Sequence, residues 1–229
     1  VIPLNLVADY GGGTMFLVTG VLAALVSRST TGRGQVVDAA MVDGASMLLA
    51  PTFSYMATGF WKDSRGVNLL DGGAPFYDVY EAADGRHVAV ACLEPQFFAE
   101  FVQLLPLDPG FVARQYDPRA WPELRAAIAA RIAERPRDEW AEHFAASDAC
   151  VAPVLSMTEA VDHPHNRARN VHSAVGRLTR PRPAPRFSAT PAEIAAPSAS
   201  PPDLAALLGS LGIAAEETEA LVSDAVIGA

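Results

Sequence analysis

The segment "GGGTMFLVTGVLAALVSR", Gly11 to Arg28, constrains the fold more than any other part of the sequence. It has helical length and is apolar on most faces. A helix of that kind is expected inside a larger body, with other layers covering it. Its most apolar run, Met15 to Val26, is too short to cross a bilayer and stops at Ser27-Arg28-Ser29, so no transmembrane segment and no membrane partner are expected. In "TTGRGQVVDAAMVDGASMLLA", Gly32 and Gly34 mark a turn. Gln35 to Asp38 has the composition of a short strand, and Ala39 to Leu49 that of a helix. Helix, turn, strand and helix in that order predict an α/β body.

A second pattern begins at "LLDGGAPFYDVYEAADGRHVAVACLEPQFF". Alternation in Phe76 to Tyr80 and in His87 to Ala91 predicts two strands, joined by a turn at Ala83-Asp84-Gly85-Arg86. Glu94-Pro95 then opens an amphipathic helix from Gln96 to Leu105, with Pro95 in an early helical position. "WPELRAAIAARIAERP" and "RDEWAEHFAASDA" predict two further helices. "CVAPVLSM" predicts a short strand followed by a cap at Ser156 or Thr158. From Arg177 to Pro202 proline is dense, which predicts an extended connection without packed elements. In the tail, Asp203 can cap one helix, Gly212 can end it, and Glu216-Glu217 can open another.

Three segments follow. Residues 1–74 are the end of a large α/β domain with a linker helix, and 75–165 are a small α+β domain. Residues 166–229 are a proline-rich return linker and C-terminal helices that rejoin the large domain. The start, Val1-Ile2-Pro3, has no Met and no basic segment before an apolar one. A signal peptide is not expected there, and the segment is expected to be the interior of a longer protein.

With 229 residues, half of them hydrophobic, the chain can bury a core. Its net charge of −9, without any Lys/Arg-rich run, argues against nucleic acid as a partner. Two cysteines far apart, Cys92 and Cys150, do not make a disulfide framework or a Cys-based zinc site, and they fit a cytoplasmic protein with reduced thiols.

The candidates for chemistry are few. Asp9 precedes Gly11, Gly12 and Gly13. One reading is an ordinary helix cap, which Asp does well. The other is an acid or base beside a helix N-terminus, where glycines let a ligand approach free N–H groups. Glu94, between Leu93 and Pro95, is either a carboxylate supported by a helix dipole or a residue that orients a proton-transfer partner. His163 and His165 have Pro164 between them and no nearby Cys, so a polar loop is favoured over a metal pair. His143 is expected in a solvated pair with Glu139. Cys92 has no adjacent His, and strand packing accounts for it. Strand packing also accounts for Phe76, Tyr77 and Tyr80, although Tyr77 could line an acyl pocket.

Four segments resemble a known family: "NLVADYGGGTMFLVTGVLAAL", "GQVVDAAMVDG", "LLDGGAPFYDVYEAADGRHVAVACLEPQFF" and "PAPRFSATP". They are similar to the α-methylacyl-CoA racemases, within the larger CoA-transferase family III (CaiB/BaiF-like). The resemblance covers nearly the whole chain, and the third segment is its most specific part. It implies an α/β fold, the C-terminal part of an interlocked homodimer. An α/β segment of a large CoA-binding domain is joined to a smaller α+β domain, with sites between the large domain of one protomer and the small domain of the other.

The family's catalytic Asp falls on Asp9 and its Glu on Glu94. Gly11, Gly12, Tyr77 and Leu93 become substrate-binding positions. The substrate is an acyl-CoA, CoA is part of that substrate, and no separate cofactor and no metal are implied. The family's catalytic His lies in a Gly-His-Asp-x-Asn-Tyr motif upstream of the Asp, and this sequence does not contain that motif. Racemisation beside a thioester removes a proton from one face and returns one to the other, so two groups are needed. Transferases of the family use the equivalent Asp as a nucleophile. They usually carry an additional glycine-rich loop, whereas "LLDGGAPFY" has only Gly72-Gly73, which favours the racemase. A third expectation is that the chain by itself is catalytically inactive.

Overall fold

The computed structural model describes residues 3–194, 203–224 and 226. Leu6–Thr14 forms a π-helical segment that runs directly into helix α1, Met15–Thr31. Gly32 ends α1 in a left-handed conformation, φ 69°, and its N–H donates to the Arg28 carbonyl at 2.8 Å. Only glycine adopts that conformation without strain, so the predicted turn forms where expected. Residues 33–40 then run without regular structure. The strand expected at Gln35 to Asp38 does not form. Among the described residues no other strand lies beside it, and a strand without a partner has no ladder to hold it. Helices α2, Met41–Leu48, and α3, Ala50–Ala57, follow.

The π segment and α2 cross with their backbones in contact. A Cβ on Gly44 would lie 1.7 Å from the Gly12 carbonyl oxygen, and one on Gly12 would lie 2.7 Å from the Ala45 nitrogen. Only glycine at both positions permits this crossing. Helix α1 does not occupy the interior expected of it: none of its residues is buried, and Leu22 and Val26 are 58% and 69% exposed. The glycine crossing buries Gly12 and Gly13 of the π segment and leaves the sides of α1 uncovered. The whole helical run, Leu6–Thr31, is also longer than the sequence reading allowed. Its 26 residues contain a window of mean hydropathy 1.5, long and apolar enough to cross a membrane by length and composition. The core helix of a soluble domain passes the same test.

Beyond α3 a loop leads into β1, Tyr77–Glu81, and β2, His87–Ala91, an antiparallel hairpin pairing Tyr77 with Ala91 and Glu81 with His87. Gly85, at φ 73°, supplies its turn. Helix α4, Pro95–Leu104, a 3-10 turn at Pro109–Arg114, α5, Trp121–Ile132, and α6, Arg137–Phe144, precede β3, Val151–Pro153. The sheet order is β1-β2-β3. Val88 and Val90 point inward from β2, and Leu124, Ile128 and Ile132 recur at helical spacing along α5. With Phe76, Phe98, Phe101 and Trp140 they form one continuous core. Burying each such large side chain contributes roughly 1.5–3 kcal/mol, which makes this helix-on-sheet layer the stable centre of the chain.

The chain divides into two compact units, with Val154 ending the first and Leu155 beginning the second. The first unit therefore joins the segment expected as 1–74 to most of the one expected as 75–165. Leu69 packs on the core, and Arg125 of α5 donates to the carbonyls of Gly72 and Gly73, which ties the loop to the small α+β layer.

The second unit opens with α7, Met157–Asp162, started by a reciprocal capping box between Ser156 and Glu159. Helix α8, Pro164–Ala168, and a hairpin of β4, His172–Val175, and β5, Leu178–Pro181, follow. The hairpin lies partly where an extended proline-rich connection was expected. Leu178-Thr179-Arg180 can donate to a ladder, and Pro181 comes only at the strand's end, where a missing N–H is tolerated. The segment 195–202 lies outside the described residues. Asp203 caps α9, Leu204–Ser210, by accepting from the Ala206 N–H, and α10 spans Ala215–Ser223.

Candidate active site

Asp9 is not a cap. Asn5 holds that position, and Asp9 lies inside the π-helical segment with its side chain exposed. The hydroxyl of Thr14 donates to the Asp9 carbonyl at 3.1 Å. π-helical turns are uncommon and are found often at functional sites, where the extra residue re-aims side chains. The glycines after Asp9 serve a different purpose from the one expected. Gly12 and Gly13 are buried, and the α2 backbone approaches Gly12 where a ligand was expected. N–H groups of the segment are engaged in its own ladder, from Tyr10 donating to Asn5 to Met15 donating to Tyr10.

Glu94 is the N-cap residue of α4 by backbone position, with extended φ and ψ of −70° and 138°. Its carboxylate makes no capping bond and is exposed. It therefore stands at the positive end of a helix dipole, and among the described residues its oxygens have no hydrogen-bond partner. The backbone before it is locked. The Leu93 carbonyl accepts from Gln115 Nε2 at 2.8 Å and from the Tyr116 hydroxyl at 2.5 Å. Buried Gln115 also donates to the Cys92 carbonyl, and its own carbonyl accepts from Trp121 Nε1. No sequence pattern points to Gln115 or Tyr116, which lie between helices in a segment without any motif.

Glu94 also shapes the electrostatics around it. Burial first, and then the negative charge of Glu94, raise the Tyr116 hydroxyl above its ordinary pKa. The Cys150 thiol is raised by the same two causes in that order. Cys92 is pushed up to about 12, chiefly by burial, with Cys150 and Glu94 adding to it. A thiol held protonated is no nucleophile, which agrees with the packing role expected of Cys92. No hydrogen bond or ion pair joins Asp9 to Glu94 among the described residues.

Beside Glu94 lies an open cavity of about 560 Å³, lined by Ser54, Tyr55, Thr58, Phe60, Trp61, Leu69, Leu70 and Leu93. Leu93 is the lining residue that adjoins Glu94 in sequence. Tyr77 is not among these residues; it is half-buried and packs against the core. His143 and His163 take places other than those expected. His143 Nε2 lies 2.9 Å from the Leu104 carbonyl, and its ring meets Trp140 and Phe144 edge-on, in place of the solvated pair expected with Glu139. His163 caps α8 by backbone position, where a loop was expected. Among the described residues no three His, Cys, Asp or Glu side chains are grouped to hold a metal.

Comparison with known proteins agrees with this architecture. The sequence model of CoA-transferase family III matches residues 2–205. The chain is 44% identical over 191 residues to mouse alpha-methylacyl-CoA racemase and 41% identical to the human protein of that name, covering 83% of this chain and 50% of each. An acetyl-CoA:oxalate CoA-transferase of Acetobacter aceti is 29% identical over 180 residues, covering 76% of this chain and 45% of that protein. The chain therefore spans about half the length of the curated relatives it matches. In fold it is similar to a hypothetical protein of Mycobacterium tuberculosis, with a TM-score of 0.64 and 23% identity, covering 84% of this chain and 51% of the other. It is also similar to a CAIB/BAIF family protein of Brucella suis, with a TM-score of 0.58 and 23% identity, covering 80% and 49%. The fold is that of a C-terminal segment of such proteins, mixed α/β with small sheets, and the chain belongs to CoA-transferase family III.

Proposed function

We propose that this chain contributes to a racemase that interconverts R and S 2-methylacyl-CoA thioesters by proton transfer through an enolate. The observation that carries the reading is the identity of 41–44% to two proteins named alpha-methylacyl-CoA racemase, against 29% to the acetyl-CoA:oxalate CoA-transferase. In this reading the exposed Asp9 carboxylate takes the α-proton from one face to leave an enolate that is reprotonated on the other face, and in the reverse direction Asp9, as the acid, supplies the proton to its own face. A histidine outside this chain serves the other face, and Glu94 orients and balances that histidine. Two opposed groups are required because a single base tends to return a proton to the face it left. The exposed Glu94 carboxylate, carried on a backbone anchored at the Leu93 carbonyl by Gln115 and Tyr116, suits an orienting role. The partner is a second copy in an interlocked homodimer, the setting is cytoplasmic, and the chain alone is inactive.

The full-length protein, incubated with a 2-methylacyl-CoA in deuterated water, should exchange the α-proton without any acceptor acid. Asp9→Asn should lower the exchange rate by about 10²–10⁴-fold, the range for loss of a general acid–base group. Acceptor-dependent CoA transfer without exchange, and an acyl adduct on Asp9 trapped by hydroxylamine, would instead establish the transferase.

A further inference from the structure

The loop between α3 and β1 is built more firmly than a connection requires. Its centre is Asn68, only 4% exposed. The Asn68 side-chain oxygen accepts from the Lys62 N–H at 2.7 Å, and its amide nitrogen donates to the Lys62 and Ser64 carbonyls and to Asp71 Oδ2. Asp71 in turn accepts from the N–H groups of Gly66, Asn68 and Gly73. The loop closes on itself so tightly that a Cβ on Gly73 would lie 2.5 Å from both the nitrogen and the oxygen of Asn68. From outside, Arg125 donates to the Gly72 and Gly73 carbonyls at 2.7 and 2.9 Å and pairs with Asp78 of β1. A planar guanidinium reaches all three acceptors from one rigid fork.

The loop carries Trp61, Leu69 and Leu70 onto the cavity beside Glu94. Across the cavity, the aliphatic hydroxyls at α3 are turned back onto the helix backbone. Ser54 donates to the Ala50 carbonyl, and Thr58, just past the helix end, donates to those of Ser54 and Tyr55. The side chains of Asn68 and Asp71 are spent on the loop's shape, and Trp61, Leu69 and Leu70 line the cavity together with Leu93, the residue before Glu94. Connecting loops are ordinarily the mobile part of a fold, so a clamped one against a cavity calls for a reason beyond connection.

We propose that Asn68, Asp71 and Arg125 are positioning residues that hold this loop as a fixed wall, and that the wall, through Trp61, Leu69 and Leu70, sets which acyl tail the site accepts. The inference rests on the reading that the site binds an acyl-CoA. It is tested by calorimetric titration of the full-length protein with acetyl-CoA and with decanoyl-CoA. The unaltered protein should bind decanoyl-CoA more tightly. Arg125→Lys and Asp71→Asn should each lower the decanoyl-to-acetyl affinity ratio at least about ten-fold, the scale on which apolar pockets discriminate. A network that only stabilises the fold would weaken both ligands together and leave the ratio unchanged, and that result would overturn the proposal. Arg125→Lys keeps the charge and guards against a variant that fails to fold, and Leu70→Trp, which fills the cavity, should abolish the preference directly. Lost tail preference with proton exchange intact overturns this inference alone. Absent exchange with tail preference intact overturns the racemase reading alone, and binding of neither thioester overturns both.

Discussion

Glu94 and Cys92 lie two residues apart and show how neighbours in sequence acquire opposite chemistry. Cys92 is fully buried, and its thiol is raised to about 12. Glu94 sits past the end of the strand, at a helix N-terminus, with its carboxylate exposed and uncommitted. The difference comes from burial, because low-dielectric surroundings disfavour the charged form. Thiol labelling provides a check. Iodoacetamide at pH 8 should modify Cys150, which is exposed, and leave Cys92 untouched until denaturant is added. Labelling of both thiols in the folded protein would show that the Cys92 environment is open.

At the scale of elements, two contacts decide the arrangement around the candidate site. The first is the crossing of the π segment and α2 through Gly12 and Gly44. Gly44→Ala would drive a methyl group into the Gly12 carbonyl, and the two elements would have to separate. Overpacking of this kind destabilises by about 1–3 kcal/mol, read as a lower denaturant midpoint, and the π segment bearing Asp9 should lose amide protection first. The second is the loop around Asn68. Burial alone would raise the Asp71 carboxyl, but the hydrogen bonds from the Asn68 side chain and from three backbone N–H groups outweigh it, and its pKa lies below the ordinary value. A depressed folded-state pKa contributes stability that is complete above the unfolded value of about 3.9 and is lost as pH falls through the folded value. The amides of Gly66, Asn68 and Gly73 should therefore lose protection from hydrogen exchange as the pH drops below about 4. In Asp71→Asn that pH dependence should vanish.

Over the whole molecule, the two ends of the first unit differ in what covers them. The layer of β1–β3 with α4–α6 encloses a complete core, whereas α1, α2 and α3 leave Leu22, Val26, Met47 and Phe53 each at least half exposed. Contiguous apolar surface of this kind promotes association. The chain by itself should bind an apolar dye and self-associate at micromolar concentration, as sedimentation would show. A monomer without dye binding would contradict this. The core layer should retain cooperative melting when the α1–α3 face is perturbed.

The sequence by itself determined the local elements. The β1–β2 hairpin, the Pro95 helix start and the Asp203 cap form where the residues predict, and of the two caps the residues offer, Ser156 and Thr158, Ser156 is the one that forms. They depend on steric and hydrogen-bonding rules that act over a few positions. The family was legible too, because its motifs are contiguous. Asp9 and Glu94 were visible as residues, but their settings were not. Only tertiary structure decided that Asp9 lies within a π-helical turn, that Gly12 meets another backbone, and that Arg125 reaches Gly72 across 53 residues. It also decided that Gln35 to Asp38 forms no strand and that the most apolar helix is exposed. Pairing and burial are properties of what lies alongside an element, and a linear pattern records an element's preference for company without recording whether the company is present.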